Sequence, residues 1–402
     1  MNFDPKNIKA AVDGIFEETV RIRRQLHQNP ELSEHEEKTE ALICDHLSAL
    51  DIPYEKHIAG HGVCGVIYGQ DRGLAVGVRA DIDALPLTEM SGVPFASRNP
   101  GVMHACGHDI HTAVLLGTAM VLSKIKKELP FSVRLFFQPA EETTGGALRM
   151  IEAGCMRDPI VRDVIGLHVE PAAEAGTVRL TPGAVNAASC EFSVTVRGVS
   201  CHGAHPSTGL DPLIPACEMV GAIQSVITRR LLATDSAIIT VGQFHSGNKN
   251  NIIPSETRFS GIIRTLENRQ RTFLKDELRR VCEGVAAAHN TTCEIEFTDS
   301  YPALINDEGL FEIMKKSSEE ILGREKVAIN KTPSLGCDDF SYFCDRARGF
   351  YYNIGTARPG EISAAPIHNE FFCPDESSVR TGILTEVWGV LNIMEAMKKN
   401  DR

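Results

Sequence analysis

Three histidines, a cysteine and an aspartate fall within nine positions, Met103-His104-Ala105-Cys106-Gly107-His108-Asp109-Ile110-His111. Imidazole, thiolate and carboxylate together are the donor set of a borderline divalent metal such as zinc. Cys106 and His108 are two apart, just ahead of a helical pattern, and in an extended or turning segment that spacing points both side chains the same way. Read alone, the pair is as well explained by a packed thiol and polar helix-start residues, but the density of candidates favours ligands. A second cluster, Gln138-Pro139-Ala140-Glu141-Glu142, suggests hydrolysis. One carboxylate can hold metal while its neighbour moves protons. Two acids could equally begin a helix, where negative charge suits the dipole, yet Pro139 before them and Gly145-Gly146 after them indicate a shaped loop.

Other candidates are informative only in company. His168 ends an apolar run, Ile165-Gly166-Leu167-His168, and His368 lies in Pro366-Ile367-His368-Asn369-Glu370 near the C-terminus. Asp81 and Asp83 follow the strand-like Val78-Arg79 and could orient ligands as hydrogen-bond acceptors. Ser200-Cys201-His202-Gly203-Ala204-His205-Pro206 puts two histidines in a Gly/Pro loop, where one could steady an oxyanion. Arg264 ends a strand and could pair with a substrate carboxylate, although arginines there are usually surface residues.

At 402 residues the chain is too long for one ordinary core, so two domains are expected. Apolar content of 43% and charged content of 23% are those of a globular protein. A net charge of −12 argues against nucleic acid as partner, since phosphate binding needs a basic face. No stretch approaches the ~18 apolar residues of a membrane span, and Met1-Asn2-Phe3-Asp4-Pro5 carries no basic-then-apolar leader pattern. Twelve cysteines without a C-x-x-C pair, Cys44, Cys155, Cys217 and Cys282 among them, read as buried free thiols of a cytoplasmic protein.

The elements that must position these residues are set by periodicity. Helical spacing runs from Ile8 to Leu26, and a second helix begins near Ser33, which with Glu36 forms an S-x-x-E capping box. Strand-like runs at Gly62 to Tyr68, Leu74 to Arg79, Phe131 to Gln138 and Val161 to Val169 alternate with helical stretches at Thr112 to Ile125 and Thr144 to Glu152. That alternation predicts an α/β catalytic domain with a largely parallel central sheet flanked by helices. From about residue 183 the pattern becomes strand (Cys190 to Arg197), helix (Leu213 to Leu232), strand (Ala237 to Phe244), strand (Arg258 to Arg264), helix (Asn268 to His289), strand (Thr292 to Thr298). This is a ferredoxin-like β-α-β-β-α-β unit. The expected division is 1–182 and 300–402 as two parts of one catalytic domain, with 183–299 an inserted α+β domain.

Together these segments resemble the amidohydrolase branch of the M20 metallopeptidases, which includes hippurate hydrolases, indoleacetyl-amino-acid hydrolases and N-acyl-amino-acid deacylases. The resemblance runs in order along nearly the whole chain: Arg79-Ala80-Asp81-Ile82-Asp83-Ala84-Leu85-Pro86, His104 to Asp109, Gln138 to Glu142, Gly166-Leu167-His168, the His202 loop, Asn251-Ile252-Ile253-Pro254, Gly261 to Thr265, Asp339-Phe340-Ser341-Tyr342-Phe343 and Ile367-His368. It implies two divalent ions per subunit (zinc, manganese, cobalt or nickel) held by Cys106, His108, Glu142, His168 and His368, with Glu141 as general base and acid. It further implies that the insert is a lid that also forms a homodimer, that His202 reaches a neighbouring subunit's site to steady the oxyanion, and that Asn251 and Arg264 bind substrate. Ile110, Ser207, Cys337-Asp338 and Asn369-Glu370 depart from the usual pattern near the pocket and bear on substrate preference.

The implied reaction is cleavage of an N-acyl-L-amino acid to a carboxylic acid and a free amino acid by a metal-activated water. The substrate is a small molecule, with neither nucleic acid nor membrane as partner. The alternative within the family is a dipeptidase or carboxypeptidase. Two other classes make different demands: a thiol enzyme with Cys106 as nucleophile and His108 as base, which chelators would not inhibit, and a non-catalytic metal-binding protein, which would have no use for Glu141.

Overall fold

The computed structural model describes residues 3–358 and 365–400, so of the N-terminal segment read for a leader, Met1 and Asn2 lie outside the described residues. The chain forms two compact units: Met1–Gly183, Ile305–Thr332 and Asp339–Arg402 make the first, and Ala184–Leu304 with Pro333–Asp338 the second. The short stretch Pro333–Asp338 belongs to the second unit although no change in composition marks it.

The first unit is built on an eight-stranded sheet in the order Tyr54–Ile58, Gly62–Ile67, Phe131–Gln138, Asp71–Asp81, Ile160–Glu174, Arg348–Ala357, Val178–Leu180, Val327–Ile329. Neighbours among the four central strands, Phe131–Gln138 through Arg348–Ala357, run parallel. Antiparallel pairs flank them on both sides, so the sheet is largely parallel as its alternating sequence predicts. Phe131–Gln138 is buried at every position, as expected of a parallel strand covered on both faces. The helix His108–Lys124 is buried from His108 through Leu122 and packs against the C-terminal helix Ser377–Asn400 and the helix Phe16–Gln28. Its sequence is apolar all round because it has neighbours all round.

Two local expectations give way. The long N-terminal helix is two helices, Pro5–Asp13 and Phe16–Gln28, separated at Gly14. The Ser33/Glu36 capping box does not form. Instead the carboxylate of Glu31 accepts the free N–H groups of Lys38 and Thr39 at the start of the helix Glu37–Ala49, each at 2.9 Å. Ser33 and Glu36 are thereby released for longer-range partners.

In the second unit, Ala188–Arg197, Ala237–Ser246, Glu256–Thr265 and Thr292–Asp299 form an antiparallel sheet in the order second, third, first, fourth. With the helices Leu213–Arg230 and Asn268–Ala288 this is the ferredoxin-like arrangement. Phe192, Val194 and Val196 point into its core while Glu191 and Arg197 are exposed, the alternation expected of a half-solvated strand. The cysteines are free, and Cys44, Cys155 and Cys282 are buried; Cys217, expected inside, is exposed. Among the described residues no helix is long and apolar enough to cross a membrane.

Candidate active site and metal centre

The carboxyl ends of the central parallel strands bring the candidates together. Asp81 and Gln138 end their strands, and His168 lies two residues beyond Gly166, where the Asp71–Asp81 strand stops pairing with Ile160–Glu174. Crevices at such strand ends are where open α/β sheets place their sites. Gly107, at φ +82°, turns the chain into the helix His108–Lys124. A Cβ on it would stand 2.6 Å from Val169 Cγ2, so the approach requires glycine.

Beyond that turn the donors converge. Cys106 Sγ is 3.3 Å from His168 Nε2 and 3.3 Å from His368 Nε2. His368 Nε2 is 3.2 Å from Glu142 Oε1, and His108 Nε2 is 4.0 Å from the same oxygen. In each of the trios Cys106/His108/His168, Cys106/Glu142/His368 and His108/Glu141/Glu142, the ligand atoms lie within 4.8 Å of one another. Cys106, His108 and Glu142 each belong to two of these trios, so the five proposed ligands and Glu141 form one cluster. His368 comes from the C-terminal loop, where it adopts φ +59° and donates its backbone N–H to Ala105 O at 2.8 Å.

The arrangement fits divalent metal. The His108 Nδ1–H donates to the carbonyl of Asp83 at 2.9 Å and that of His168 to the carbonyl of Val169 at 2.8 Å. A carbonyl can only accept, so both rings turn Nε2 lone pairs toward the cluster. His108 Nε2 is buried and has no hydrogen-bond partner. Charge points the same way. Burial opposes positive charge at His108, but Asp81, Asp83 and Glu142 outweigh it, so the acids around the ring favour a cation at Nε2, which a metal ion supplies as well as a proton. Burial first, then the charges of Glu142, Glu141 and Asp81, raise the Cys106 thiol well above its ordinary value. Burial would also raise Glu142, yet the hydrogen bond from His368 and the charge of His108 hold it below the usual carboxylate range. An excess of acid at this cluster calls for cations, and a thiolate at Cys106 needs them.

The surroundings fix this set. The carboxylate of Asp83 is 3.1 Å from His108 Nδ1 through Oδ1, while Oδ2 accepts from Ser33 Oγ at 2.7 Å and from the Glu142 N–H at 3.0 Å. Asp83, rather than Asp81, therefore hydrogen-bonds His108. Asp81 instead accepts from His111 Nδ1 at 2.5 Å, and His111 Nε2 accepts the Val169 N–H at 3.0 Å. Burial pushes His111 down to about 4 despite Asp81, so it is a neutral bracing group. Arg79 bridges Asp81 and Asp339, and Asp339 also accepts from Gln138 Nε2 and the Ala147 N–H. This anchors the Glu141 loop at both ends. Ser33, which donates to Asp83, and Glu36, which accepts the Ala140 N–H at 2.9 Å, escape a reading of the sequence, where the two look like a capping box.

His202, Asn251 and Arg264 lie in the second unit. His202 is exposed in a two-residue strand paired with Ile252–Ile253, and its Nδ1 accepts the Ala204 N–H at 3.0 Å. Asn251 is exposed and accepts the Gly203 N–H through its carbonyl at 2.8 Å. Arg264 Nη1 is buried without a hydrogen-bond partner.

A mixed, largely parallel sheet with a thiolate, imidazole and carboxylate cluster at its strand ends defines a metal-dependent hydrolase. The particular family is given by comparison. The model of peptidase family M20/M25/M40 matches residues 77–388, and the chain belongs to that family. It is 37% identical over 360 residues to an N-acetyl-L-cysteine deacetylase of Bacillus subtilis, covering 90% of this chain and 84% of the relative. It is 37% identical over 384 residues to thermostable carboxypeptidase 2 of Saccharolobus solfataricus, covering 94% and 96%. A solved Bacillus subtilis structure, described as a dinuclear metal binding peptidase from the M20 family, superposes with a TM-score of 0.84 at 28% identity, over 95% of this chain and 99% of that one. The chain is a hydrolase that acts on amide bonds with the help of divalent metal.

Proposed function

We propose that this enzyme cleaves N-acyl-L-amino acids to a carboxylic acid and a free amino acid. The observation that carries the reading is the burial of Glu141, 8% exposed, beside Glu142 and His108 in a cluster of metal donors. A carboxylate there has no solvating role and is within reach of any water activated at the cluster.

Cys106, His108, Glu142, His168 and His368 would hold two divalent ions. Zinc suits the donor set, and manganese, cobalt or nickel can also occupy so mixed a site. Bound there, such ions polarise the amide carbonyl and lower the pKa of water toward ~7. The chain's own groups do the rest. Glu141 takes the proton of the attacking water and returns it to the departing amine nitrogen. His202 donates to the developing oxyanion, acting from the inserted domain of a second subunit. Asn251 and Arg264 bind the amino-acid end of the substrate. The orphaned Nη1 of Arg264 supports a carboxylate partner.

In this reading 183–299 is a lid and homodimerisation domain inserted between catalytic parts 1–182 and 300–402. The free cysteines suit the reducing cytoplasm. The deacetylase relative favours short acyl groups. A carboxypeptidase or dipeptidase activity is the second reading, favoured by the equally similar carboxypeptidase. Acetyl-, benzoyl- and indoleacetyl-amino acids assayed beside dipeptides separate the two. The role of Glu141 is tested by Glu141→Ala, which should abolish turnover while bound metal per chain stays at the wild-type value. Loss of the metal with the activity would make Glu141 a ligand instead.

A further inference from the structure

Outside the donor set described above, a second group of metal-type side chains gathers where the turn between the strands Tyr54–Ile58 and Gly62–Ile67 meets the helix Glu37–Ala49. Glu40 projects from that helix with its side chain only 5% exposed. His57 Nδ1 is 2.8 Å from Glu40 Oε1 and 3.1 Å from Oε2, and His61 Nδ1 is 2.9 Å from Oε2. We propose that Glu40, His57 and His61 form a further divalent-cation site, suited to a borderline ion such as zinc and independent of the catalytic centre.

Three observations support it. Donors that share a cation at ~2.0–2.1 Å stand about 2.9–3.4 Å apart, and the carboxylate–imidazole separations already fall near that range. The three ligand atoms lie within 4.8 Å of one another. The backbone is also committed: His57 at φ +60° and Ala59 at φ +56° both adopt the left-handed conformation that non-glycine residues avoid. A simple ion pair with Glu40 would need one imidazole. Here two, one from the bulged end of the strand Tyr54–Ile58 and one from the turn that follows it, converge on a single buried carboxylate. Glu37 Oε1 is 3.8 Å from His61 Nε2, and the Glu34 carboxylate also faces His61, so further negative charge is at hand to support the ion. Occupied, the site would staple the hairpin turn to the helix.

The test is the zinc content of the whole protein, dialysed against micromolar free Zn2+ and measured by elemental mass spectrometry. The double variant His57→Ala/His61→Ala is compared with the wild type and with Glu40→Gln. Each variant is expected to hold one ion fewer per chain, and to hydrolyse N-acyl-amino acids with unchanged kcat/KM. Because His57 is 63% exposed, His57→Ala alone serves as the variant least able to disturb folding. It should weaken binding of that ion about tenfold or more. Equal zinc content in wild type and double variant overturns the site. Loss of zinc together with loss of hydrolysis overturns its independence from the catalytic centre. Neither result touches the assignment of the reaction, which the substrate assays decide.

Discussion

Glu36 accepts the backbone N–H of Ala140 at 2.9 Å, and Ala140 holds φ at +54° directly before Glu141. Glu36 is fully buried, and burial together with the charge of Asp83 pushes its carboxyl up to about 7. A buried carboxyl from the N-terminal part of the chain thus pins the strained step that aims the proposed base. Removing the acceptor from a buried N–H costs about 1–3 kcal/mol. Here it also frees the loop, and small misplacements of a catalytic group are expensive. Glu36→Ala should therefore lower kcat roughly 10- to 100-fold with metal content unchanged. Glu36→Gln, which keeps a carbonyl acceptor, should stay within about threefold of wild type. Steady-state kinetics with parallel metal analysis decides. An undiminished kcat in Glu36→Ala would show that the loop holds itself.

Asp83 ties three things together: His108, Ser33 and the Glu142 N–H. It therefore orients one proposed ligand, His108, through its ring and a second, Glu142, through its backbone. Outer hydrogen-bond partners of metal-binding histidines typically contribute about 10- to 100-fold in metal affinity. Asp83→Ala should weaken zinc binding by that order, read by competition with a chelator of known affinity. Unchanged affinity would mean that the carbonyl of Asp83 alone orients His108.

How far the sequence foretells this site depends on the distance over which each residue finds its partner. Cys106 and His108 are legible because their spacing and the glycine between them are local facts. Glu142 and His168 are legible because parallel strands deliver the residues at their carboxyl ends to one edge of the sheet. Ser33 and Glu36 are misread because a capping box and a tertiary donor–acceptor pair look alike in sequence. Glu31 takes over the helix start, and only the folded chain shows Asp83 and Ala140 as the true partners. The break at Gly14 is hidden by apolar spacing that continues across it, since periodicity records which face is buried and not whether the backbone runs unbroken. Asp339, one member of a longer motif, shows its work only when Arg79 and Gln138 meet it across the sheet.

Glu386 makes stability depend on pH. It is buried and accepts from Thr118 Oγ1 at 2.7 Å, and burial pushes its carboxyl up from 4.5 to about 8, the hydrogen bond only partly opposing. With the folded value above the unfolded one, the native state binds this proton more tightly than the unfolded chain. The contribution is fully present below 4.5, falls as pH rises, and is lost beyond about 8. Glu386→Gln removes that slope. Relative to wild type, the variant should gain stability between pH 5 and pH 8 by an amount on the order of 1–3 kcal/mol. Urea unfolding at the two pH values measures it, and parallel pH dependences would contradict an ionisable burden at this position.

The most direct test of the metal-dependent reaction is hydrolysis of acetyl-, benzoyl- and indoleacetyl-amino acids by metal-stripped enzyme, before and after adding zinc, manganese, cobalt or nickel. The stripped enzyme should release no amino acid, and at least one of these ions should restore release. Full activity after stripping would contradict a metal-dependent hydrolysis, and would move Cys106 from ligand to nucleophile.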